Sequence, residues 1–598
     1  MCGIMGYTGT REAAPILLDG LGRLAYRGYD SAGIAVAGAA GRITRCRAEG
    51  KLRNLIEKSQ GGAVLPGTVG IGHTRWATHG APKEYNAHPH MSHDGKIAVV
   101  HNGIIENYRE LREELTRAGY TFTSDTDTEV VVHLLHRALA EGCDPEGAIR
   151  ATLPRLRGAY ALAILFAARP GVLYAVRQES PLLIGQGEGE CFLASDAPAL
   201  LPYTRWLYES APGELVRLSP AGAELLRADG GSVSPSFCEV TWDAGAAEKG
   251  GYASFMEKEI YEIPGVLARL AAEREEPLPR ALAGDITGVY FVGCGSAYHV
   301  GLSAAYFGEA LVGLPVRVMV ASEFRYHSVP LAPRDLVVAV SQSGETADTL
   351  AALREAKRRG AYVLAIVNVV GSSIAREADA VLYTRAGPEI AVATTKAYCA
   401  QLVVAARLFL EIASVQRGRE AARTLSEGLG GLADAVRAVL AQRARIRAIA
   451  ERISPWEDAF FIGRGADYPA CLEGSLKLKE ISYLHAEAYP AGELKHGTIS
   501  LVSPGVPVIA LLTQPALLEK TLSGVEEVRA RGGEVFPFYG ETLPCPPDLL
   551  GVPLPHVPPP LAPLPAAVAL ELLALEVATL RGLDPDMPRN LAKSVTVE

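Results

Sequence analysis

The stretch Met1-Cys2-Gly3-Ile4-Met5-Gly6-Tyr7 places a cysteine directly after the initiator methionine. A methionine before a small residue is commonly removed, which would leave Cys2 with a free α-amine. A thiol is a good nucleophile, and an α-amine with a pKa of about 7.7–8.0 can act as a base near neutral pH. Nucleophile and base would then belong to one residue. Taken alone, the stretch also fits an ordinary cysteine at a frayed terminus.

Two polar segments, Gly72–Gly80 and His101–Asn107, lie among short apolar runs and are typical of strand ends and loops that face a pocket. A metal site is an alternative, because four histidines cluster in this part of the sequence, namely His79, His88, His90 and His101. No histidine or carboxylate pair here has the spacing of helical metal ligands, and no cysteine pair accompanies them. We therefore predict that no metal is bound.

Together with Cys2, these segments and the blocks Tyr26–Gly33 and Ser124–Glu129 resemble the glutamine amidotransferases that use an N-terminal nucleophile. The resemblance covers roughly residues 2–235 and implies an αββα sandwich. It also implies that Cys2 attacks the side-chain amide of glutamine and forms a glutamyl thioester.

Glutamine chemistry explains the residue types of these blocks. A guanidinium holds a carboxylate bidentately, so Arg75 suits the α-carboxylate of glutamine, and Asp127 suits its α-ammonium. The Asn102 side chain and the Gly103 N–H can stabilise the developing oxyanion. Asn-Gly is also the strongest short signal for a hairpin turn, which is the structural alternative. The resemblance adds His79 and the gating residue Trp76 to this site.

Composition limits the possible partners. The net charge of −9 gives no electrostatic case for nucleic acid. We find no apolar run of about 18 residues that argues for a membrane span and no signal peptide before Cys2, so we expect a cytoplasmic protein. The nine scattered cysteines are typical of reduced thiols.

The second half has a different, repeated pattern. After a linker-like segment, 243–251, strands and helices alternate, which predicts a parallel α/β sheet. Phe291–Gly295 recurs 170 residues later as Phe461–Gly465. Two similar units, roughly 281–418 and 450–588, follow from this repeat. Neither unit carries a full G-x-G-x-x-G, so we do not predict nicotinamide binding.

A hydroxyl-rich turn in the first unit predicts an anion site. Ser341-Gln342-Ser343-Gly344-Glu345-Thr346 follows an apolar strand, and a helix begins at Ala347. Backbone N–H groups, the helix dipole and hydroxyl donors converge there. No lysine follows as in a P-loop, which favours a phosphomonoester, although a simple helix cap is the alternative. The second unit has Thr513-Gln514-Pro515-Ala516 instead, so we predict one phosphate site per chain.

This turn, the Cys294-Gly295-Ser296 turn and the duplication resemble the sugar isomerase (SIS) domains, which are flavodoxin-like and bind phosphosugars. The whole chain, through its last residues, resembles the isomerizing glutamine–fructose-6-phosphate aminotransferases. This resemblance implies the substrates glutamine and fructose 6-phosphate, an ammonia channel, no cofactor, a homodimer, and the first step of amino-sugar synthesis. The domains would be 2–240 (amidotransferase), 241–280 (linker and helix), 281–418 and 450–588 (SIS), and 589–598 (active-site tail).

The same resemblance assigns the isomerase residues. Glu480 would be the base that moves the proton between sugar carbons 1 and 2, His496 would open the ring, and Lys593 would form a Schiff base. Spacing alone indicates only a salt-bridge ladder for Glu473, Lys477 and Glu480 on one helical face. The implied sugar-phosphate residues are Cys294, Gly295, Ser296, Ser341, Gln342, Ser343, Thr346, Val392, Thr394 and Lys477. Thr394 departs from the family, which usually has serine there.

Three other functions share parts of this pattern. A phosphosugar-binding regulator would use the duplicated fold without catalysis, and a phosphoribosyl pyrophosphate amidotransferase would lack that fold. A glutaminase fused to a deglycase-like isomerase would remove an amine instead of adding one. Because sugar sites of this fold often borrow a residue across subunits, we expect the loop Gly492–Gly497 to serve the partner's site.

Overall fold

The computed structural model describes residues 2–38, 41–77, 79–227, 231–239, 248–272 and 285–596. The chain divides into two compact units, one of residues 1–247 with 594–597 and one of residues 248–593 with 598. Of the predicted linker, residues 241–247 and 273–280 lie outside the described residues. The domain boundaries given above stay predictions.

The amino-terminal unit is built from antiparallel strands and five helices in its described part. The strands are β1 (Gly3–Thr8), β2 (Ser31–Ala37), β3 (Ile43–Glu49), β4 (Val69–Arg75), β5 (His90–Met91), β6 (Ile97–Gly103), β7 (Tyr160–Phe166), β8 (Leu173–Gln178), β9 (Leu183–Gly187), β10 (Glu190–Ala194), β11 (Trp206–Glu209), β12 (Leu215–Ser219), β13 (Gly222–Leu226), β14 (Ser232–Val233) and β15 (Cys238–Glu239). The helices are α1 (Ala13–Arg23), α2 (Leu52–Lys58), α3 (Tyr108–Arg117), α4 (Glu129–Ala140) and α5 (Pro145–Thr152).

These strands form two stacked sheets with the orders β15-β11-β9-β10-β1-β4-β2-β3 and β14-β13-β12-β8-β7-β6-β5. Apolar side chains of both sheets share one core, for example Ile4 on β1 with Val100 on β6. A second core joins α1 and α2 to the outer face of the first sheet, and a third joins α3, α4 and α5 to the second sheet. The αββα sandwich is thereby confirmed.

The second unit alternates strands with helices, as its sequence pattern predicts. Its strands are β16 (Gly288–Gly293), β17 (Val316–Val320), β18 (Asp335–Ser341), β19 (Tyr362–Val367), β20 (Ala380–Tyr383), β21 (Asp458–Gly463), β22 (His485–Pro490), β23 (Pro507–Leu512), β24 (Glu534–Gly540) and β25 (Val552–Leu554). Its helices are α6 (Phe255–Ala272), α7 (Ser296–Val312), α8 (Ala321–Phe324), α9 (Ala347–Arg358), α10 (Ser373–Glu377), α11 (Lys396–Gln416), α12 (Arg419–Leu440), α13 (Arg443–Ile453), α14 (Asp467–Ser482), α15 (Leu518–Arg529) and α16 (Pro563–Leu580).

Two parallel sheets with the same strand order confirm the duplication, β17-β16-β18-β19-β20 and β22-β21-β23-β24-β25. One large apolar core includes both sheets and the helices α6, α7, α11, α12, α13, α14 and α16. The proline-rich region 543–565 supplies the edge strand β25, where Pro553 faces Tyr539. An edge strand tolerates the missing N–H of proline.

Two helical segments of the described chain, Lys396–Gln416 and Pro559–Leu580, are long and apolar enough to cross a membrane. Their most apolar windows are 72% and 100% buried inside the protein. Burial of this extent is typical of core helices, and both segments pack in the core of the second unit. Single charged residues, such as Arg407 and Glu571, interrupt their apolar runs, so neither segment is an unbroken apolar run in the sequence.

Candidate functional site

Strand pairing sets the position of the cysteine nucleophile. Gly3 pairs with Thr74, so Cys2 lies beside Trp76 at the end of β4. The Trp76 N–H donates to Cys2 Sγ at 3.2 Å, and the thiol donates to the Trp76 carbonyl at 3.4 Å. Burial raises the pKa of the Cys2 thiol, while the nearby positive charges oppose this rise. The thiol is therefore protonated at neutral pH, and attack requires a base.

Asn102 and Gly103 are the last residues of β6, so the hairpin-turn alternative is wrong. The Asn102 Nδ2 group donates to the Cys2 carbonyl at 3.0 Å and to Ser195 Oγ at 2.8 Å. Gly103 has a φ of 117°, and a Cβ at this position would collide with the Ala159 carbonyl oxygen. Asn102 therefore brings one observed donor beside Cys2, and residue 103 takes a backbone position that only glycine fits.

Ser195 was missed by the sequence analysis. Its hydroxyl accepts from the Ile4 N–H at 2.7 Å and from Asn102, so it ties the first strand to β6. A single serine 191 residues away from Ile4 carries no local motif, and only the pairing of β1 with β10 brings it here.

Arg75 and Asp127 are both buried and flank the same region. The Arg75 guanidinium donates to the carbonyls of Ala81 at 3.2 Å, Gly80 at 3.1 Å and His79. Asp127 Oδ2 accepts from the Ile105 N–H at 2.8 Å. Arg75 is thereby fixed by neutral carbonyls and retains its charge for an anionic ligand. Burial is the main influence on the pKa of Arg75 and lowers it.

Trp76 and His79 pack against aromatic rings of the same unit. Trp76 meets Tyr29 edge to face with 5.8 Å between ring centroids, and His79 meets Tyr108 at 5.1 Å. His79 also orients Arg75 through its backbone carbonyl. The aromatic packing of Trp76 and His79 is compatible with the role predicted for both residues at the glutamine site.

A cluster of buried histidines lies behind the nucleophile. The rings of His73 and His88 are 4.2 Å apart, and those of His88 and His90 are 4.7 Å apart. Thr128 Oγ1 hydrogen-bonds His88 at 2.8 Å and His101 at 2.9 Å. Burial lowers the pKa of His73 to about 3 and also lowers that of the other three. Within the described ranges, no group of three or more His, Cys, Asp or Glu side chains is arranged to hold a metal ion.

The second unit encloses a cavity of about 160 Å³ where its two copies meet. Its lining includes the predicted site residues Cys294, Ser296, Ser341, Gln342, Ser343, Thr346, Val392, Thr394, Lys477, Glu480 and Lys593. Thr349 and Gln401 also line it and were not predicted. Of the residues predicted for the sugar-phosphate site and the isomerase step, Gly295 and His496 do not line the cavity of this single chain. Gly295 instead forms the turn before α7, with a φ of 55°.

The hydroxyl-rich turn closes one side of this cavity. Ser341 Oγ accepts from the Gly344 N–H at 3.0 Å and lies 3.1 Å from Thr346 Oγ1. Thr346, the residue before α9, makes no capping hydrogen bond with its side chain. The Thr346 side chain therefore does not cap α9, whose positive end meets the cavity and favours an anion there.

Lys593 reaches the cavity in an ion pair with Glu389, whose Oε2 lies 2.5 Å from Lys593 Nζ. Glu389 also accepts from the Thr394 hydroxyl at 2.6 Å and from the Thr395 N–H at 2.9 Å. Burial would raise the pKa of Glu389, but Lys593 and these donors lower it to about 2. Thr394 therefore keeps the hydroxyl function of the usual serine. Glu389 was missed because a lone loop glutamate gives no signal.

The predicted face of α14 is a buried charge network. Lys477 Nζ donates to Glu480 at 2.6 Å and lies 3.5 Å from Glu473. Glu473 accepts from Ser296 at 2.7 Å and pairs with His299 at 2.8 Å, both on α7. Glu480 retains 20% exposure of its side chain, and it lines the cavity. The network therefore holds Glu480 at the cavity wall.

His496 lies on an exposed turn, Glu493–His496, away from the cavity lining. Its loop contains Gly497, which has a φ of 141°. The structure of one chain thus brings Glu480 and Lys593 together and leaves His496 apart.

The second copy holds a carboxylate at the place equivalent to this cavity. Asp467 takes the place of Ala297, and both of its oxygens accept from Thr513, one from the hydroxyl and one from the N–H at 2.9 Å. Burial raises the pKa of Asp467 to about 6. An anionic side chain of the protein thus occupies the turn that replaced Ser341–Thr346.

Known domain families match the two units of the chain separately. A glutamine amidotransferase domain model matches residues 73–202, and a SIS domain model matches residues 286–411 and 452–540. Full-length relatives named glutamine–fructose-6-phosphate aminotransferase (isomerizing) are 51% identical in Symbiobacterium thermophilum and 48% identical in Thermus thermophilus, with 100% of both chains covered. The C-terminal domain of glucosamine-fructose-6-phosphate aminotransferase from Francisella tularensis is 37% identical with a TM-score of 0.55, covering 57% of this chain and 99% of that one.

Proposed function

Because the chain belongs to the isomerizing glutamine–fructose-6-phosphate aminotransferases, we propose that it makes glucosamine 6-phosphate and glutamate from fructose 6-phosphate and glutamine. Water and glutamine give glutamate and ammonia in the first unit. Ammonia and fructose 6-phosphate give glucosamine 6-phosphate and water in the second. The observation that carries the proposal is the pair of sites described above, one with a buried thiol and one with a hydroxyl-rich cavity and a lysine.

The amidotransferase step begins with Cys2. After removal of Met1, the α-amine of Cys2 takes the thiol proton, which supplies the base that the raised pKa of the thiol requires. Arg75 binds the α-carboxylate of glutamine and Asp127 binds its α-ammonium. Asn102 and the Gly103 N–H stabilise the oxyanion as the thioester forms and ammonia leaves.

The sugar step uses the cavity of the second unit. Ser341, Ser343 and Thr346 bind the phosphate at the start of α9, where the helix dipole favours an anion. Lys593 in its neutral form attacks the open-chain ketone to form an imine, with loss of water. Ammonia then displaces Lys593, and Glu480 moves the proton between carbons 1 and 2.

Dimerisation would complete this second site. We place His496 of one protomer at the cavity of its partner, because His496 is exposed and remote from the cavity of its own chain. Ring opening needs an acid or base at the sugar, and an imidazole can serve as either. We expect a homodimer that acts in the cytoplasm and passes ammonia to the sugar site as the uncharged molecule.

The test is a matched assay of both products. Purified protein is incubated with glutamine and fructose 6-phosphate while glutamate and glucosamine 6-phosphate are measured together. We expect equal amounts of the two products, and loss of both in Cys2→Ala because no thioester forms. Supplying ammonium salt instead of glutamine should restore amino-sugar formation in Cys2→Ala.

Cys143→Ala is the matched control, because Cys143 is an exposed free cysteine of the same unit. It should form both products at the wild-type rate. Glutamate without amino sugar would contradict the assignment of the second unit, and amine release from glucosamine 6-phosphate as the only reaction would favour the deglycase-like alternative.

A further inference from the structure

His73 is buried in β4 and faces two oxygen acceptors with one ring nitrogen. Its Nε2 lies 2.9 Å from the His101 carbonyl oxygen and 3.1 Å from Asn102 Oδ1. A backbone carbonyl only accepts, so Nε2 carries the proton, and the Asn102 atom that faces it must be the amide oxygen. Nδ1 is buried without a hydrogen-bond partner in the protein, which is compatible with the neutral Nε2–H tautomer because Nδ1 then carries no proton to donate.

The opposite end of the same carboxamide faces the nucleophile. Asn102 Nδ2 uses its two protons on the Cys2 carbonyl and on Ser195 Oγ. When an oxyanion forms at the substrate carbon, one of these protons must turn to it. The carboxamide therefore needs an anchor that does not compete for its N–H groups, and the only atom left for such an anchor is its oxygen.

We propose that His73 is a positioning residue that holds the Asn102 carboxamide by its oxygen, so that Nδ2 can shift from the Cys2 carbonyl to the oxyanion without the amide turning over. The inference rests on the proposed function, which assigns Asn102 to the oxyanion. His88 packs on the His73 ring at 4.2 Å and restricts its rotation. Burial keeps the imidazole uncharged, so its hydrogen bond to Asn102 is independent of pH near neutrality.

A double-mutant cycle tests the inference, with glutamate release followed in the presence of fructose 6-phosphate. His73→Leu removes the donor, and kcat should fall about 10-fold while KM for glutamine changes by less than about 2-fold. His73→Gln places an amide N–H near the position of Nε2 and should restore kcat to within about 3-fold of wild type. In the Asn102→Ala background, His73→Leu should change kcat by less than about 2-fold, because its effect passes through Asn102.

His133→Leu is the matched control, because His133 is equally buried in this unit and packs on Tyr120 and Phe122 rather than on Asn102. His133→Leu should change kcat by the same factor in the wild-type protein and in the Asn102→Ala background. His73→Asn, whose amide falls short of Nε2, is a second loss variant should His73→Leu not fold.

Two results would overturn the inference. One is an additive loss of kcat when His73→Leu is combined with Asn102→Ala, and the other is a rise in KM for glutamine with unchanged kcat. Failure of the proposed function gives a different pattern, since the wild-type protein would then release no glutamate. An Asn102→Ala variant with the wild-type kcat would remove the assigned role of Asn102, and the inference with it.

Discussion

Gly28 lies so close to the backbone of the amidotransferase site that no side chain fits there. A Cβ on Gly28 would lie 2.7 Å from the Arg75 carbonyl carbon and 2.9 Å from the Trp76 nitrogen. The Trp76 N–H is the group that donates to Cys2 Sγ. A methyl group at residue 28 would therefore displace a contact of the nucleophile itself.

We expect Gly28→Ala to lower kcat/KM for glutamine hydrolysis by at least about 10-fold, because the Trp76 N–H must move away from Cys2. Steady-state glutamate release measures this loss. Gly22→Ala is the control, since the nearest atom to its Cβ would be 3.8 Å away and alanine favours the helix α1. Equal activities of the two variants would show that the close approach at Gly28 is unimportant.

Single residues also show how far the sequence predicts the sites. Cys2, Arg75 and Asp127 belong to motifs whose residue types match glutamine, so the sequence alone indicates them. Glu389 and Ser195 have no motif, and their partners lie 204 and 93 residues away in the chain. Their roles come from tertiary packing, which sequence spacing does not encode.

At the scale of elements, the turn between β18 and α9 depends on one glycine. Gly344 has a φ of 67°, and a Cβ there would lie 2.5 Å from Ser372 Cβ, with Ser372 Oγ closer still. The same residue gives its N–H to Ser341 Oγ at 3.0 Å. The shape of the hydroxyl-rich turn is therefore fixed by a left-handed backbone and by packing against the loop that contains Ser372.

We predict that Gly344→Ala raises KM for fructose 6-phosphate by at least about 10-fold, because the clash displaces the hydroxyls of the turn. Gly360→Ala is the matched control. Gly360 follows the same helix with a φ of 85°, but a Cβ on it would meet no atom within 4 Å. Amino-sugar formation at varied sugar concentration measures both variants, and a similar rise in KM for both would attribute the effect to general backbone strain.

The elements themselves were largely predictable. The repeated pattern of strand, glycine turn and helix predicts both parallel sheets. The helix predicted to begin at Ala347 also begins there in the structure. The buried segments α11 and α16 were not recognised, because an apolar helix inside a large core has no amphipathic period to reveal it. Asn102-Gly103 shows the opposite case, since the pair ends β6 although its turn propensity alone indicates a hairpin turn.

At the scale of the whole molecule, the two units bury titratable groups of opposite kinds. The amidotransferase unit buries His73, whose folded pKa of about 3 is far below its unfolded value of about 6.5. Below pH 6.5 the unfolded chain binds more protons there, so stability falls with falling pH. The isomerase unit buries Glu259, whose pKa is raised to about 8 by burial and by Glu389. The folded chain keeps this proton at pH values where the unfolded chain has lost it, so stability is lost there progressively as pH rises from about 4.5 to about 8.

We expect the order of unfolding of the two units to change with pH. Heating with a protease, followed by mass spectrometry of the fragments, should show the amidotransferase unit cleaved first at pH 5.5 and the isomerase unit losing stability as pH rises from 5.5 to 8. His88→Gln should weaken the effect of low pH on the amidotransferase unit, and Glu259→Gln the effect of rising pH on the isomerase unit. The same order of cleavage and the same cleavage temperatures at every pH would contradict this prediction.

In the second copy of the isomerase fold, the Asp467 side chain occupies the place that an anion would take. A carboxylate tethered beside Thr513 has an effective concentration that no dissolved metabolite matches, so an outside anion is excluded from the second copy. The same helix that begins with Asp467 carries Glu480 to the cavity. The two copies are therefore not equivalent, because the first supplies the hydroxyl-rich turn to the cavity and the second supplies Lys477 and Glu480.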